Sequence, residues 1–216
     1  MIKKSIFILF TLLLLVACGN NSAADNALEQ AKLLMQGDSL TAADTVLAIE
    51  HFLFAAEKGN AEAQYHLGTY YQYGIGVERD ADRALDWYER AAKGGDPKAQ
   101  NKMGMIFYSG SGAERDYARA RSWFTRSAKR GDEQSQYMLG IMYSRGRGTE
   151  PDTAKAIHWL EKSAAGGHPY PEYLLGKLLY ETAETPEETE TARQWVKSAA
   201  DKGVGHAKEL LQAMDN

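Results

Sequence analysis

The sequence predicts an all-α chain assembled from stacked two-helix repeats, and three observations lead to that class. All four tryptophans, Trp87, Trp123, Trp159 and Trp195, stand 36 residues apart. The glycines Gly68, Gly104, Gly140 and Gly176 keep the same interval, as do Gly59, Gly95, Gly131, Gly167 and Gly203. Finally, residues 61–96, 97–132 and 133–168 align without a gap. A period of this length marks units that cannot bury their apolar faces alone and stack to build a continuous core.

At the amino terminus, Lys3 and Lys4 precede an apolar run from Ile6 to Ala17, which reads as a secretory signal over residues 1–17. The run falls well short of the roughly 20 apolar residues that span a bilayer. It ends in Leu15-Val16-Ala17-Cys18, which resembles the lipobox at which bacteria acylate a cysteine. Cys18 is the only cysteine, so no disulfide within the chain is expected. Gly19 is not the aspartate that retains lipoproteins in the inner membrane. A lipid-anchored address in the bacterial cell envelope follows as the expectation, on the outer membrane facing the periplasm. Residues 18–24 are expected to be the acylated cysteine and a short linker, spanning about 20 Å when fully extended. Removing residues 1–17 takes away two lysines and no acid, so the formal charge moves from -4 to -6. That balance excludes nucleic acid as the partner, because phosphate binding needs a basic footprint.

Residues 25–60 form a degenerate first repeat. Ala48, Ala55, Ala56 and Gly59 match the later units, but His51 replaces the tryptophan. In the full units the first helix carries Ala63, Leu67, Gly68 and Tyr71 on one face, and the second carries Ala84, Trp87, Tyr88, Ala91 and Ala92. Asn60, Asp96, Asp132 and His168 occupy the N-cap slots of first helices, and Asp80, Asp116 and Asp152 those of second helices. The glycine before each first-helix cap suits a left-handed stop. Gly68 and its equivalents are expected to let helix backbones approach, with the tryptophan filling the wider part of each layer. Residues 169–204 are a divergent repeat in which Thr182 and Glu184 replace the glycine pair of the turn, and residues 205–216 read as a closing helix.

The elements A-x-Q-x-x-L-G, G-x-G, D-x-x-x-A-x-x-W-Y and A-A-x-x-G together resemble the Sel1-like repeats, relatives of the tetratricopeptide repeats. The resemblance implies a right-handed α/α superhelical solenoid whose first helices line a concave face, and a role in holding another protein. On that face it places Glu62, Tyr65, Thr69, Gln72 and Tyr73 in one unit, with Met105, Tyr108, Tyr137, Ile141, Arg145, Tyr170, Tyr173 and Tyr180 in the others. Tyrosine-rich slots suit a binding surface. Packing between neighbouring helices is the competing explanation for the same residues.

A second surface is basic. Arg83, Arg119 and Lys155 share one register, and Arg90, Arg126 and Lys162 another. They read either as a contact surface for anionic headgroups or an acidic partner, or as a solvated face. The acids Glu181, Glu184, Glu187, Glu188 and Glu190 read as a solvated loop tip, with weak Ca²⁺ binding or a basic partner as alternatives.

No catalytic motif is present. Ser-x-x-Lys, Gly-x-Ser-x-Gly and His-Glu-x-x-His are all missing, and the Gly-x-Gly pairs follow no strand. The five histidines occupy five different repeat positions. No enzyme activity, cofactor, metal or small-molecule substrate is therefore expected. Some cysteine-rich members of the family are linked to β-lactam hydrolysis, which does not carry over to a chain with one cysteine. The expected role is a membrane-anchored scaffold that binds a protein or peptide through the concave face. The alternative is an immunity protein that neutralises a secreted antibacterial phospholipase.

Overall fold

A computed structural model describes residues 20–36 and 41–215. The expectations for residues 1–17 and for Cys18 lie outside the described residues. Among these residues the chain is helical, with α1 (Asn20–Met35), α2 (Ala42–Glu57), α3 (Ala61–Tyr73), α4 (Ala81–Lys93) and α5 (Pro97–Ser109). There follow α6 (Tyr117–Ala128), α7 (Glu133–Arg145), α8 (Thr153–Ala164), α9 (Pro169–Thr182), α10 (Pro186–Asp201) and α11 (Gly205–Met214). The chain divides into two compact units, one up to Met103 and one from Gly104 onward. In the first, α1 packs on α2, α2 on α3 and α3 on α4. In the second, α6 packs on α7, and the succession continues through α8, α9, α10 and α11.

Local signals account for the helix limits. The Asn60 side chain accepts from the Ala63 amide at 2.9 Å and the Asp132 side chain from Ser135 at 2.7 Å. Asp80, Asp116 and Asp152 cap α4, α6 and α8 through the third following amide, each at 2.9 Å. Each satisfies an amide that has no partner within the helix. Gly59 (φ 90°) and Gly74 (φ 70°) hold left-handed backbone where α2 and α3 stop.

Three local expectations are corrected. His168 precedes α9 but makes no side-chain cap. Its ring instead stands 2.8 Å from the Glu133 carboxylate at the start of α7. The linker expected over residues 18–24 is helical from Asn20, and Ala23 and Ala24 are buried. The acidic stretch is only partly a loop. Thr185 and Glu188 form a capping box that starts α10, so Glu187 and Glu188 lie in its first turn, where a negative charge favours the helix dipole.

Each hairpin core is built on a glycine notch. A methyl group on Gly68 would stand 2.6 Å from the ring of Tyr88, one on Gly104 2.5 Å from Phe124, and one on Gly140 2.6 Å from Leu160. At Gly176 the same methyl would meet Val196 at 2.7 Å, the Val196 amide at 2.8 Å and the Ala192 carbonyl at 2.9 Å. At Gly176 the nearest atoms thus include backbone, as the expected approach requires. Elsewhere the notch receives a bulky side chain from the residue after the tryptophan. Phe124, Leu160 and Val196 are almost wholly buried, whereas Trp87, Trp123, Trp159 and Trp195 are half-buried. The tryptophan is not the core filler.

Successive hairpins are joined by a repeated amide bond. The buried Gln64 side chain donates to the Ala56 carbonyl at 3.0 Å, Gln100 to Ala92 at 3.1 Å and Gln136 to Ala128 at 3.2 Å. The equivalent position in the last repeat is Glu172. It is 3% exposed and takes Lys202 at 2.5 Å and the Ser198 hydroxyl at 2.9 Å.

Candidate functional site

In the first unit the expected binding residues of α3 mostly serve the neighbouring helix. The buried Tyr88 hydroxyl donates to Gln72 Oε1 at 2.7 Å and meets Thr69 Oγ1 at 3.3 Å. Burial pushes this hydroxyl up to about 12, so it stays a donor at neutral pH. Tyr65 lies against the rings of Tyr88 and His66, at 5.7 Å and 5.9 Å. Glu62 pairs with Lys32 at 2.7 Å. Only Tyr73, 64% exposed, stands open.

The second unit separates the candidates more sharply. Tyr108 is enclosed by Tyr117 at 5.4 Å and Phe124 at 6.4 Å, and the Arg147 guanidinium donates to its hydroxyl. Tyr173 stacks on His206 at 6.4 Å and packs against the cluster of Val196, Ala199 and Val204. Met105, Ile141 and Tyr180 are half-buried. Arg145 is exposed and borders a small cleft shared with Leu174 and Lys177. For Tyr108 and Tyr173 the packing explanation accounts for the residue.

Tyr137 and Tyr170 meet in a cleft of about 240 Å³, lined also by Glu133, Gln134, Ser163, His168 and Pro171. Tyr170, at 61% exposed, forms an open edge. Tyr137 is half-buried, and burial pushes its hydroxyl up, with Arg145 opposing, so it remains a neutral donor. The Ser163 hydroxyl donates to the Glu133 carbonyl at 2.8 Å, which ties α8 to the start of α7. The Glu133 carboxylate is wedged beside Gly166, where a methyl group would stand 2.6 Å from its oxygens. The cleft thus offers aromatic faces and a His–Glu pair, a combination that takes a side chain with an apolar body and a polar or basic tip.

Sequence reasoning singles out the two tyrosines of this cleft but not Glu133, His168 and Pro171. A signal was available. His168 departs from the Asn or Asp found at the cap slot in the three preceding units, and Glu133 stands where the neighbouring units have Pro97 and Pro169.

The Sel1 repeat model matches residues 31–60, 61–96, 97–132, 133–168 and 172–204. The chain belongs to the Sel1 repeat family. Its fold is the Sel1 repeat solenoid, and proteins of this family are typically non-enzymatic and mediate protein–protein interaction. Among solved structures, the protective antigen c5321 of uropathogenic Escherichia coli is 31% identical, with a TM-score of 0.77 over 88% of this chain. The chain spans 41% of that antigen's length. A Sel1 repeat protein from Oxalobacter formigenes is 28% identical with a TM-score of 0.73, covering 88% of this chain and 78% of its own. An immunity protein of Pseudomonas aeruginosa is 20% identical over 85% of this chain and 66% of its own, but its TM-score of 0.48 carries no functional argument. No curated protein matches the sequence.

Within the Sel1 repeats the basic registers are aromatic contacts. Arg90, Arg126 and Lys162 lie over Trp87, Trp123 and Trp159 at 4.8, 4.8 and 5.2 Å. Arg83, Arg119 and Lys155 lie over Tyr71, Phe107 and Tyr143 at 5.5, 3.9 and 5.5 Å. Arg83 and Lys155 also pair with Asp80 and Asp152. The first three contacts join consecutive turns of one helix and the second three join the two helices of a hairpin, contributing about 0.5–1 kcal/mol for an exposed arginine on a ring. Among the described residues, no three histidine, cysteine, aspartate or glutamate side chains converge to hold a metal ion, and no helix is long and apolar enough to cross a membrane.

Proposed function

We propose that this protein is a protein-binding scaffold of the bacterial cell envelope, anchored through an acylated Cys18, that takes a segment of its partner into the Tyr137–Tyr170 cleft. The observation that carries the binding half is the cleft itself, where an exposed tyrosine, a half-buried tyrosine and the His168–Glu133 pair face one cavity. Large aromatic contact area next to a polar pair is the composition of an interface hot spot. The anchoring half rests on the apolar run ending in Val16-Ala17-Cys18.

The test is capture from envelope extract by the wild type and by Tyr137→Ala/Tyr170→Ala, followed by affinity measurement on the recovered partner. The double variant is expected to lose roughly 2 kcal/mol or more of binding with helicity unchanged. Equal capture by both proteins overturns the site. If the recovered partner is an enzyme whose activity falls on mixing, the scaffold acts as its neutraliser. For the anchor, Cys18→Ala is expected to abolish acyl labelling and to leave precursor or released protein, and unchanged labelling overturns it. Density-gradient fractionation then reads which membrane holds the wild type, with the outer membrane expected.

A further inference from the structure

One face of α6 differs from the same face of its neighbours. Ala118, Arg121, Ser122, Thr125 and Arg126 line an open pocket of about 340 Å³. In the preceding repeat Asp82, Asp86 and Glu89 occupy three of these five positions, and Asp86 neutralises Arg90 at 2.8 Å. In α6 the three positions are Ala118, Ser122 and Thr125, so no acid remains on this face. Arg121 stands where the neighbouring repeats have Leu85 and Ile157. Its Nε is buried without a hydrogen-bond partner, and among the described residues no carboxylate pairs with Arg121 or Arg126. The Arg126 guanidinium is held over the Trp123 ring at 4.8 Å. The Thr125 hydroxyl donates to the Arg121 carbonyl at 2.7 Å, which leaves Ser122 as the free-standing hydroxyl donor of the pocket.

We propose that this face of α6 binds a phosphate oxyanion, either free or as the headgroup of an anionic lipid. Two guanidinium groups and one hydroxyl present a local charge of +2 in planar forks that match the oxygens of phosphate. A tetrahedral phosphate, free or as a diester headgroup, turns non-ester oxygens in two directions and so engages both forks, whereas a planar carboxylate uses only one. Stacking on Trp123 orders one fork beforehand, which lowers the entropy lost on binding. In the preceding repeat Asp82, Asp86 and Glu89 occupy the site, and in the following one Ile157 stands in place of Arg121 and Glu161 in place of Thr125.

The experiment follows the arginine Nε–Hε resonances of the unacylated full chain during titration with inorganic phosphate, against chloride at matched ionic strength. A saturable shift confined to two arginines is expected with phosphate only. Ser122→Asp, which reproduces the Asp86–Arg90 arrangement, is expected to weaken the apparent Kd by at least about tenfold, corresponding to 1.4 kcal/mol, with helicity unchanged. Arg121→Leu, the residue of the preceding repeat, is expected to do the same. A second arm measures co-sedimentation with vesicles of phosphatidylglycerol in phosphatidylcholine, against phosphatidylcholine alone. Capture lost in Ser122→Asp supports the site and identifies a headgroup, while a saturable phosphate shift without capture supports it with free phosphate as ligand. Absence of a saturable shift, an equal response to chloride, or an unchanged Ser122→Asp response overturns the proposal.

Discussion

The repeat at residues 133–168 and the repeat at 169–204 carry out the same packing task with different chemistry. In the former, Gln136 joins consecutive hairpins through one neutral amide bond, and Leu160 fills the notch at Gly140. In the latter, Glu172 replaces the glutamine, Lys202 and Ser198 satisfy its carboxylate, and the smaller Val196 allows the backbones to close on Gly176. The Gln136 amide donates one bond and leaves its Oε1 buried without a partner, a neutral atom and so a modest cost, whereas a buried carboxylate needs a specific cation and is destabilising when that cation is removed. Identical topology therefore conceals unequal sensitivity to mutation.

The largest expected effect comes from emptying a notch. Phe124→Ala is expected to cost about 3–5 kcal/mol, because a fully buried ring leaves a cavity that the Gly104 helix cannot close. Val196→Ala removes less volume where the backbones already touch, and about 1–3 kcal/mol is expected. Thermal and urea denaturation check both values, and equal losses would mean that the notches are equivalent. Trp123→Ala is expected to fall below Phe124→Ala, since its indole is only half-buried.

The next effect concerns the buried Glu172 within the last hairpin. Lys202→Met leaves the Glu172 carboxylate without its cation and is expected to cost roughly 2 kcal/mol, less than for a fully buried pair because Lys202 is 41% exposed. Adding Glu172→Gln is expected to recover most of that loss by restoring a neutral side chain able to reach a carbonyl. A double variant no better than Lys202→Met would show that Glu172 is not the reason for the cost.

The smallest effect is one of pH and belongs to the first unit. Burial holds the His66 imidazole below its usual range, with Glu62 opposing and Lys32 and Lys98 reinforcing the depression. Its ring lies against Phe52 at 4.9 Å and Tyr70 at 6.2 Å. Burial lowers His51 as well, against Glu50. A histidine with a depressed folded value binds its proton more readily when unfolded, so stability is highest above the ordinary value near 6.5 and declines as pH falls below it. His66→Phe is expected to flatten this acid-side slope measurably, and an unchanged slope would assign the effect elsewhere.

Much of this fold was legible from spacing alone. The recurrence of Gly68 and of the tryptophans at 36 residues, with Asp and Asn at cap slots, was enough to predict helix pairs. The division of labour within the Trp-Tyr, Trp-Phe, Trp-Leu and Trp-Val pairs was not. Adjacent apolar residues on a helix lie about 100° apart, and only the packed structure shows which of them enters the notch. The candidate site was legible in part. Tyr137 and Tyr170 were visible as large amphipathic residues, but tyrosines in related slots are indistinguishable in sequence whether they line a cleft or, like Tyr108 and Tyr173, fill one. The His168–Glu133 contact joins residues 35 positions apart through a cap that failed, and no periodicity encodes it.

The notch and its plug always lie within the same 36 residues: Gly68 with Tyr88, Gly104 with Phe124, Gly140 with Leu160, Gly176 with Val196. The joints between consecutive hairpins use one interchangeable bond from Gln64, Gln100 and Gln136. A gene that duplicates or deletes one whole unit thus inherits every fitted pair intact, while an event out of phase separates a notch from its plug. Heritable change in the length of this array is expected to proceed in whole units, with individual side chains inside a unit free to diverge as matched pairs.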